Sequence, residues 1–342
     1  MLTHTHARWA LLASFALTCI LAGSAMAMAM AEEGDDPSGL PTFRSAVSEV
    51  RVTFFATDEN NRPLEEVTKS DFAVVDNELV VRNFRSFTHS NENSLEIVVL
   101  VDLSESVAPR VRTEISDVLQ LLARERSIAN SNSNSNDNIS VVSFGGALDA
   151  RSGVQPAVLC TNGCRASDSV ARLLAVKSGG ATPLFDALIL AADFISNHRQ
   201  ASGRGVGRDD VRPVLLLFSD GCDTLSMHSA NEALQAALNA GALIYSVDMG
   251  RTGNPTAGTT FLRQVARATG GRYFPLARPN APEDDASAVL SAVLDDLRAS
   301  YVVTYDLPSH QAGFHSLRLL PTHNLKLIFH SRGGYIYDPS DQ

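Results

Sequence analysis

Between Leu95 and Ala299, short apolar runs alternate with longer stretches of helical periodicity, and this alternation constrains the fold most strongly. The run Ile97-Val98-Val99-Leu100-Val101 contains no polar residue, which is typical of a strand buried on both faces of a parallel sheet. Strand–helix alternation of this kind predicts βαβ units. We therefore predict an α/β fold with a mostly parallel sheet over residues 94–299.

The predicted elements of this region follow the apolar pattern. The strands are expected at Leu95–Val101, Ile139–Phe144, Val214–Phe218, Leu243–Val247 and Arg272–Phe274. The helices are expected at Pro109–Ala129, Pro183–Asn197, Ala230–Asn239, Thr260–Thr269 and Asp284–Ala299. One more apolar segment, Gln155–Leu159, follows Ile139–Phe144 too closely for a crossover helix, so we predict an antiparallel strand at the sheet edge.

The flanking regions have strand-like patterns without helices. On the N-terminal side, residues 45–90 contain candidate strands at Val50–Phe55, Asp71–Val75 and Val80–Phe84. On the C-terminal side, residues 300–342 contain candidates at Tyr301–Tyr305, Phe314–Leu319 and Leu325–Phe329. Neither set makes a stable sheet alone. We predict that the two sets complete one small β-sandwich-like module from both sides of the α/β region.

The first 31 residues have the pattern of a secretory signal peptide. His4, His6 and Arg8 precede an apolar stretch from Trp9 to Leu21, and small residues with A-x-A spacing follow. An uncleaved membrane anchor is the alternative, although the stretch is short for a membrane span. No other segment is apolar enough to cross a bilayer. We expect export to the periplasm or the extracellular space, with residues 32–44 forming an acidic linker.

Charge and cysteine content narrow the function further. The 342-residue chain carries a formal net charge of −10, and without the leader it has 27 basic and 38 acidic residues. This balance argues against nucleic acid and anionic membranes as partners. In an oxidising compartment Cys160 and Cys164 can close a small disulfide loop, which leaves Cys222 unpaired. Zinc binding by that pair is disfavoured because no second Cys/His pair has ligand spacing.

Oxygen-bearing side chains follow two of the predicted strands and precede one predicted helix. Asp102, Ser104 and Ser106 lie directly after the strand at Leu95–Val101. Thr182 lies in a Gly-Gly-Ala-Thr-Pro loop before a helix, and Asp220 follows the strand at Val214–Phe218. Open α/β sheets bind ligands at the carboxyl ends of their strands. Hard oxygen donors crowded there suit Mg²⁺ or Mn²⁺.

Two of these residues also have simpler interpretations. Thr182 has the position of a helix N-cap, where its hydroxyl would accept a hydrogen bond from the first helical turn. Asp220 occurs in Ser219-Asp220-Gly221, which is also typical of a turn. The occurrence of all three loops at the same predicted sheet edge favours a shared metal site.

In combination, the three loops resemble the metal-ion-dependent adhesion site of von Willebrand factor type A (VWFA) domains, over roughly Leu95 to Ala299. The flanking motifs Val-Thr-Lys-Ser-Asp-Phe (67–72) and Arg-Gly-Gly-Tyr (332–335) resemble a largely acidobacterial group of secreted VWFA-related proteins. The resemblance implies a doubly wound, six-stranded, mostly parallel sheet flanked by helices. It also implies Mg²⁺ held directly by Ser104, Ser106 and Thr182, and largely through water by Asp102 and Asp220.

The main functional prediction is a metal-dependent protein-binding module rather than an enzyme. The open position on the ion would accept an Asp or Glu carboxylate from a partner protein. The first alternative is a metal-assisted hydrolase, but the loops contain no motif with a positioned base. Their one nearby histidine, His228, is expected to cap or precede the helix at Ala230. The second alternative is a structural envelope or secretion component with a vestigial metal site. Glu105, between the two serines, adds negative charge that either repels an acidic partner or tightens the metal.

Overall fold

The structure of the chain is a computed structural model. It describes residues 49–64, 66–90, 95–112, 114–116, 138–147, 156–161, 166–201, 211–250, 256–276 and 286–339. All of them belong to one unit of the chain, Ala46–Gln342. The predicted signal peptide, the linker and Cys164 lie outside the described residues, so these predictions and the Cys160–Cys164 disulfide stay predictions. Among the described helices, none is long and apolar enough to cross a membrane.

A six-stranded sheet forms the centre of the α/β region, as predicted. Its strands are β5 (Leu95–Asp102), β6 (Asn138–Phe144), β8 (Ala157–Cys160), β10 (Arg212–Ser219), β11 (Leu243–Asp248) and β12 (Tyr273–Pro275). Two short strands outside this sheet, β7 (Gly146–Ala147) and β9 (Lys177–Ser178), pair with each other. The strand order is β12-β11-β10-β5-β6-β8. Only the β6–β8 pair among these neighbours is antiparallel. The prediction of an antiparallel edge strand is therefore confirmed.

Helices cover both faces of this sheet. They are α1 (Ala166–Ala175), α2 (Leu184–Ala201), α3 (Ala230–Ala240), α4 (Ala257–Thr269) and α5 (Ala286–Arg298), with an additional helical segment over 108–112 and 114–116. The rest of the first predicted helix, 117–129, lies outside the described residues. Helix α1 was not predicted from the sequence. Its pattern Ala-Ser-Asp-Ser-Val-Ala-Arg-Leu-Leu-Ala has few strongly apolar residues, and its leucines differ in exposure, with Leu173 buried and Leu174 half exposed.

Strand β5 shows why its sequence is an uninterrupted apolar run. Ile97, Val99 and Val101 pack in a core with the 108–116 segment, α1 and α5. Val98 and Leu100 pack in a second core with α2, α3 and α4. Because alternate side chains of a strand point to opposite faces, both halves of the run are buried. The strand is therefore fixed at the middle of the domain, and its last residue, Asp102, is held at the sheet edge.

The flanking strands form two antiparallel four-stranded sheets, which confirms the predicted β-sandwich-like module. The strands are β1 (Glu49–Thr57), β2 (Phe72–Asp76), β3 (Leu79–Val81), β4 (Ser86–His89), β13 (Tyr301–Asp306), β14 (Gly313–Pro321), β15 (Ile328–Ser331) and β16 (Gly334–Tyr337). The first sheet has the order β15-β1-β13-β4 and the second β16-β14-β2-β3. Both sheets contribute to one apolar core around Phe54 and Phe72. Strands β4 and β16 were not predicted, and β3 and β15 are displaced from their predicted bounds.

The sandwich contains a buried polar cluster at the end of β2. Asp76 is 0% exposed, and its Oδ2 accepts hydrogen bonds from Tyr305 (2.8 Å) and Tyr335 (2.7 Å). Its Oδ1 lies 3.5 Å from Nδ1 of His315, which is also buried. The His315 Nε2 bonds to the carbonyl of Gln311 at 2.7 Å. This cluster joins four strands of the two sheets through one carboxylate.

Candidate metal centre

Asp102 ends β5 and is completely buried beneath the carboxyl edge of the sheet. Its Oδ1 accepts the backbone N–H of Ser104 at 2.8 Å, and its Oδ2 accepts the hydroxyl of Ser219 at 2.7 Å. Burial raises the pKa of Asp102 to about 6, against the lowering effect of these hydrogen bonds. The charge of Asp220 also raises this pKa. The carboxylate is therefore held in place from two loops, and within the described residues no ion pair involves it.

The serine loop connects directly to the loop that follows β10. Ser104 and Ser106 have their Oγ atoms 3.3 Å apart, and Ser106 donates to Oδ2 of Asp220 at 2.9 Å. The other oxygen of Asp220 accepts the N–H of Cys222 at 3.0 Å, as in a turn. Asp220 therefore orders the turn, as one interpretation of the sequence has it, and its carboxylate also contacts the serine loop through Ser106. Its role as a metal ligand stays a prediction.

A glycine makes this close approach of loops possible. Gly145 follows β6 with φ of +70°. A Cβ at this position would lie 2.7 Å from the Ser104 nitrogen and 2.9 Å from Oδ1 of Asp102. A side chain would therefore clash with the serine loop, and the left-handed backbone would be strained as well.

Thr182 lies in the same site, and its interpretation as an N-cap is wrong. Its backbone N–H donates to the hydroxyl of Thr224 (2.8 Å), and its carbonyl accepts the N–H of Thr224 (2.9 Å). The first N–H groups of α2, those of Phe185 and Asp186, donate instead to Ser226 Oγ at 3.0 and 3.1 Å. Since Ser226 of another loop caps the helix, the hydroxyl of Thr182 is left for the cleft that it lines.

The loops enclose a cleft of about 620 Å³ at the carboxyl edge of the sheet. Four predicted residues line it: Ser104, Ser106, Thr182 and Asp220. The fifth, Asp102, lies beneath it and is bonded to Ser104. The remaining lining residues are Glu105, Val107, Gly180, Cys222, Thr224, Asp248, Gly250, Thr256 and Thr259. The structure thus brings together all five residues that the sequence singled out.

The donor set fits a hard divalent cation. Three hydroxyls and two carboxylates offer oxygen only, which is the chemistry that Mg²⁺ and Mn²⁺ prefer. Within the described ranges, no cluster of three or more His, Cys, Asp or Glu side chains offers a competing site of the zinc type. Burial, and to a smaller extent the charge of Asp220, disfavours the charged form of Asp102, and a bound cation would offset both effects.

Other residues of the site were not predicted. Ser219 positions Asp102, and Thr224 and Ser226 tie the β10 loop to Thr182 and to α2. Asp248 ends β11, and its carboxylate accepts from the Gly250 N–H, the Thr259 hydroxyl and the Tyr273 hydroxyl. Asp248 follows an apolar run, as Asp102 and Asp220 do, and this pattern would have been enough to predict it as a residue of the site.

Neither His228 nor Cys222 supplies a reactive group to the cleft. His228 precedes the N-cap residue Ser229, and its Nδ1 pairs with Asp186 at 2.8 Å, so it does not line the cleft. Cys222 is free and exposed, as predicted. Burial, followed by the charge of Asp220, raises the pKa of its thiol, which disfavours the reactive thiolate.

Comparison with known proteins identifies the region that carries this cleft. The family model for the von Willebrand factor type A domain matches residues 96–283, more than half of the chain. No curated protein matches the sequence.

Several solved structures are similar. An aerotolerance-related membrane protein from Bacteroides fragilis is 14% identical with a TM-score of 0.38, covering 60% of this chain and 98% of that chain. The manganese-loaded TRAP protein of Plasmodium vivax is 16% identical with a TM-score of 0.38, covering 78% and 99%. Proximal thread matrix protein 1 from the mussel byssus, with a zinc-occupied MIDAS motif, is 12% identical with a TM-score of 0.40, covering 65% and 50%.

Proposed function

The chain belongs to the von Willebrand factor type A domain family, and from this premise we propose that it is an exported, metal-dependent protein-binding module. The metal is Mg²⁺ or Mn²⁺, and the partner is a protein that presents an Asp or Glu carboxylate. The observation that carries the proposal is the convergence of Asp102, Ser104, Ser106, Thr182 and Asp220 from three loops at one cleft. The location, periplasmic or extracellular, comes from the predicted signal peptide.

The residues have distinct roles in this proposal. Ser104, Ser106 and Thr182 present neutral hydroxyls to the cleft, and Asp102 and Asp220 provide the negative charge. When bound, the ion supplies a Lewis-acidic position that an incoming carboxylate can occupy. Because the hydroxyl oxygens are neutral, they neutralise little of the ion's charge and leave it attractive to that carboxylate.

Binding is the better-supported role than hydrolysis. Domains of this family are typically adhesion and interaction modules. In the described part of the cleft lining, the side chains that could act as a base are three carboxylates. Those of Asp220 and Asp248 are engaged in hydrogen bonds within the protein, and that of Glu105 is exposed, with no described residue that orients it. His228 is paired with Asp186 outside the lining. No observation favours a hydrolase enough to propose it as a second function.

Thermal melting of the purified chain in Mg²⁺, in Mn²⁺ and in EDTA tests the metal site. At a metal concentration one hundred times Kd, we expect stabilisation of about 2.7 kcal/mol relative to EDTA, seen as a rise in Tm. Asp102→Ala should abolish this rise. The matched control is Asp193→Ala, which removes an exposed carboxylate of α2 outside the cleft lining and should keep it. A wild-type Tm that does not respond to either metal would contradict the proposal and favour a vestigial site.

A further inference from the structure

The charges of the cleft do not balance even with one divalent cation bound. Three carboxylates line it, those of Glu105, Asp220 and Asp248, and Asp102 lies beneath. Among the lining residues that the structure describes, none is Lys, Arg or His. One divalent cation therefore leaves an excess of negative charge, and a partner carboxylate adds to it.

Glu105 differs from the other three carboxylates in having no assigned function inside the protein. Asp102 and Asp220 bond to the serine loop and the β10 loop, and Asp248 accepts three hydrogen bonds. Glu105 is exposed at the cleft, and no salt bridge within the described ranges involves it.

The backbone of Glu105 is fixed although its side chain is exposed. Its N–H donates to the carbonyl of Gly179 at 2.9 Å, beside a parallel bridge between Ser104 and Gly179. The N–H of Gly179 in turn donates to the carbonyl of Gly145 at 2.8 Å. The side chain therefore starts from a defined point at the mouth of the cleft, between the two serines.

We propose that Glu105 is a specificity-determining residue that selects partners with a Lys or Arg close to the metal-binding carboxylate. This inference rests on the proposed function. The basic side chain would pair with Glu105 and offset the negative charge that the partner's own carboxylate brings. A partner with a carboxylate and only neutral neighbours would meet uncompensated repulsion between like charges.

A displayed peptide library tests the inference with a defined probe. The peptides are heptamers with a central Asp and six randomised positions, selected on the immobilised full chain in Mg²⁺ and released with EDTA. We expect Lys or Arg to be enriched at one or more positions beside the Asp. For individual peptides, replacing that Lys or Arg by Gln should weaken binding about two- to fivefold, the range of exposed ion pairs.

The variant Glu105→Gln distinguishes this inference from the alternatives. It should lose the preference for Lys and Arg, and the Lys-to-Gln replacement in a peptide should then have no effect. Asp193→Asn, which removes one charge elsewhere, should keep the preference. The same enrichment on Glu105→Gln would overturn the inference, as would a variant that only weakens Mg²⁺ binding. EDTA-released Asp peptides without basic neighbours would overturn it too, while leaving the proposed function intact. A library without EDTA-released peptides would instead contradict the proposed function.

Discussion

Asp102 and Asp76 form an instructive pair, because both are 0% exposed and each is the last residue of a strand. Asp102 is bonded by small groups, the Ser219 hydroxyl and a backbone N–H. Asp76 is bonded by the phenol groups of Tyr305 and Tyr335. The first carboxylate lies beneath an open cleft lined by hydroxyls, whereas the second is enclosed in the sandwich core.

The difference shows that burial of a carboxylate does not by itself indicate a binding site. The Asp102 carboxylate lies directly beneath the cleft, and the nearby Ser104 and Ser106 line that cleft. Tyrosine rings extend the apolar core up to the carboxylate, and their hydroxyl groups are directed at it. We therefore expect Asp76 to stabilise the fold and Asp102 to bind the metal.

The largest expected effect comes from Asp76→Ala. This change leaves two buried tyrosine hydroxyls without their acceptor and removes the carboxylate beside the His315 ring, which should lower the free energy of unfolding by about 2–5 kcal/mol. Urea unfolding followed by circular dichroism measures this loss. Tyr335→Phe, which removes one of the hydrogen bonds, should cost about 1–3 kcal/mol and serves if the alanine variant does not fold.

The same measurements test the contrast with Asp102. In EDTA, Asp102→Ala should lose much less stability than Asp76→Ala, because burial already disfavours the charged form of Asp102. Tyr335→Phe should keep the Mg²⁺-dependent rise in Tm. Equal losses for the two alanine variants, or loss of the Mg²⁺ response in Tyr335→Phe, would show that the two carboxylates do not have separate roles.

A smaller loss of stability is expected when the pH is lowered, and it comes from His330 in the sandwich. His330 stacks on Phe55 with ring centroids 4.5 Å apart, and its Nε2 lies 3.0 Å from the Thr57 hydroxyl. Burial, together with the charge of Arg272, lowers the pKa of His330 to about 4. Between about pH 6.5 and pH 4 the unfolded chain therefore binds a proton that the folded chain does not, so stability falls as the pH falls.

We expect the wild type to lose about 1–3 kcal/mol more than His330→Phe when the pH is lowered from 7 to 4.5. Urea unfolding at both pH values measures the difference, in which any constant cost of the substitution cancels. Parallel losses in the two proteins would show that His330 is not kept neutral in the sandwich.

The smallest effect separates helix capping from metal binding. Ser226→Ala removes the acceptor for the Asp186 N–H and one of the two acceptors for the Phe185 N–H. It should cost about 1 kcal/mol of stability, while the Mg²⁺ response remains. Thr182→Val replaces the hydroxyl of a buried residue by a methyl group and should change the stability in EDTA by less than about 1 kcal/mol. It should greatly reduce the Mg²⁺-dependent rise in Tm. The opposite pattern in the melting curves would make Thr182 the capping residue.

The metal cleft could be predicted from sequence because its parts are encoded locally. Each parallel strand is a short apolar run, so its end is visible, and the polar residues after it must meet at one edge of the sheet. Asp102 and Asp220 were found in this way. The role of Ser226 was not, because the N–H groups that it caps, those of Phe185 and Asp186, lie 41 and 40 residues earlier in the chain.

The cluster around Asp76 could not be predicted for a similar reason. Its tyrosine partners are 229 and 259 residues away in the sequence. The residue pair Asp76-Asn77 is typical only of a turn, and Asn77 and Glu78 have positive φ. Which long-range strands would pair, and therefore which hydroxyls would reach the carboxylate, depends on the assembled sandwich.

The pairing of β1 with β13 and β15 also sets an order of events during synthesis of the chain. Val50 pairs with Tyr305 and Phe54 with Ser331, and the whole α/β domain lies between these partners. At a synthesis rate of about 5–20 residues per second, the strands that complete the sheet of β1 are made on the order of 10–50 s after β1. The α/β domain can fold in that interval, since its strands pair among themselves. Until then the N-terminal strands lack these partners, and unpaired strand edges favour aggregation.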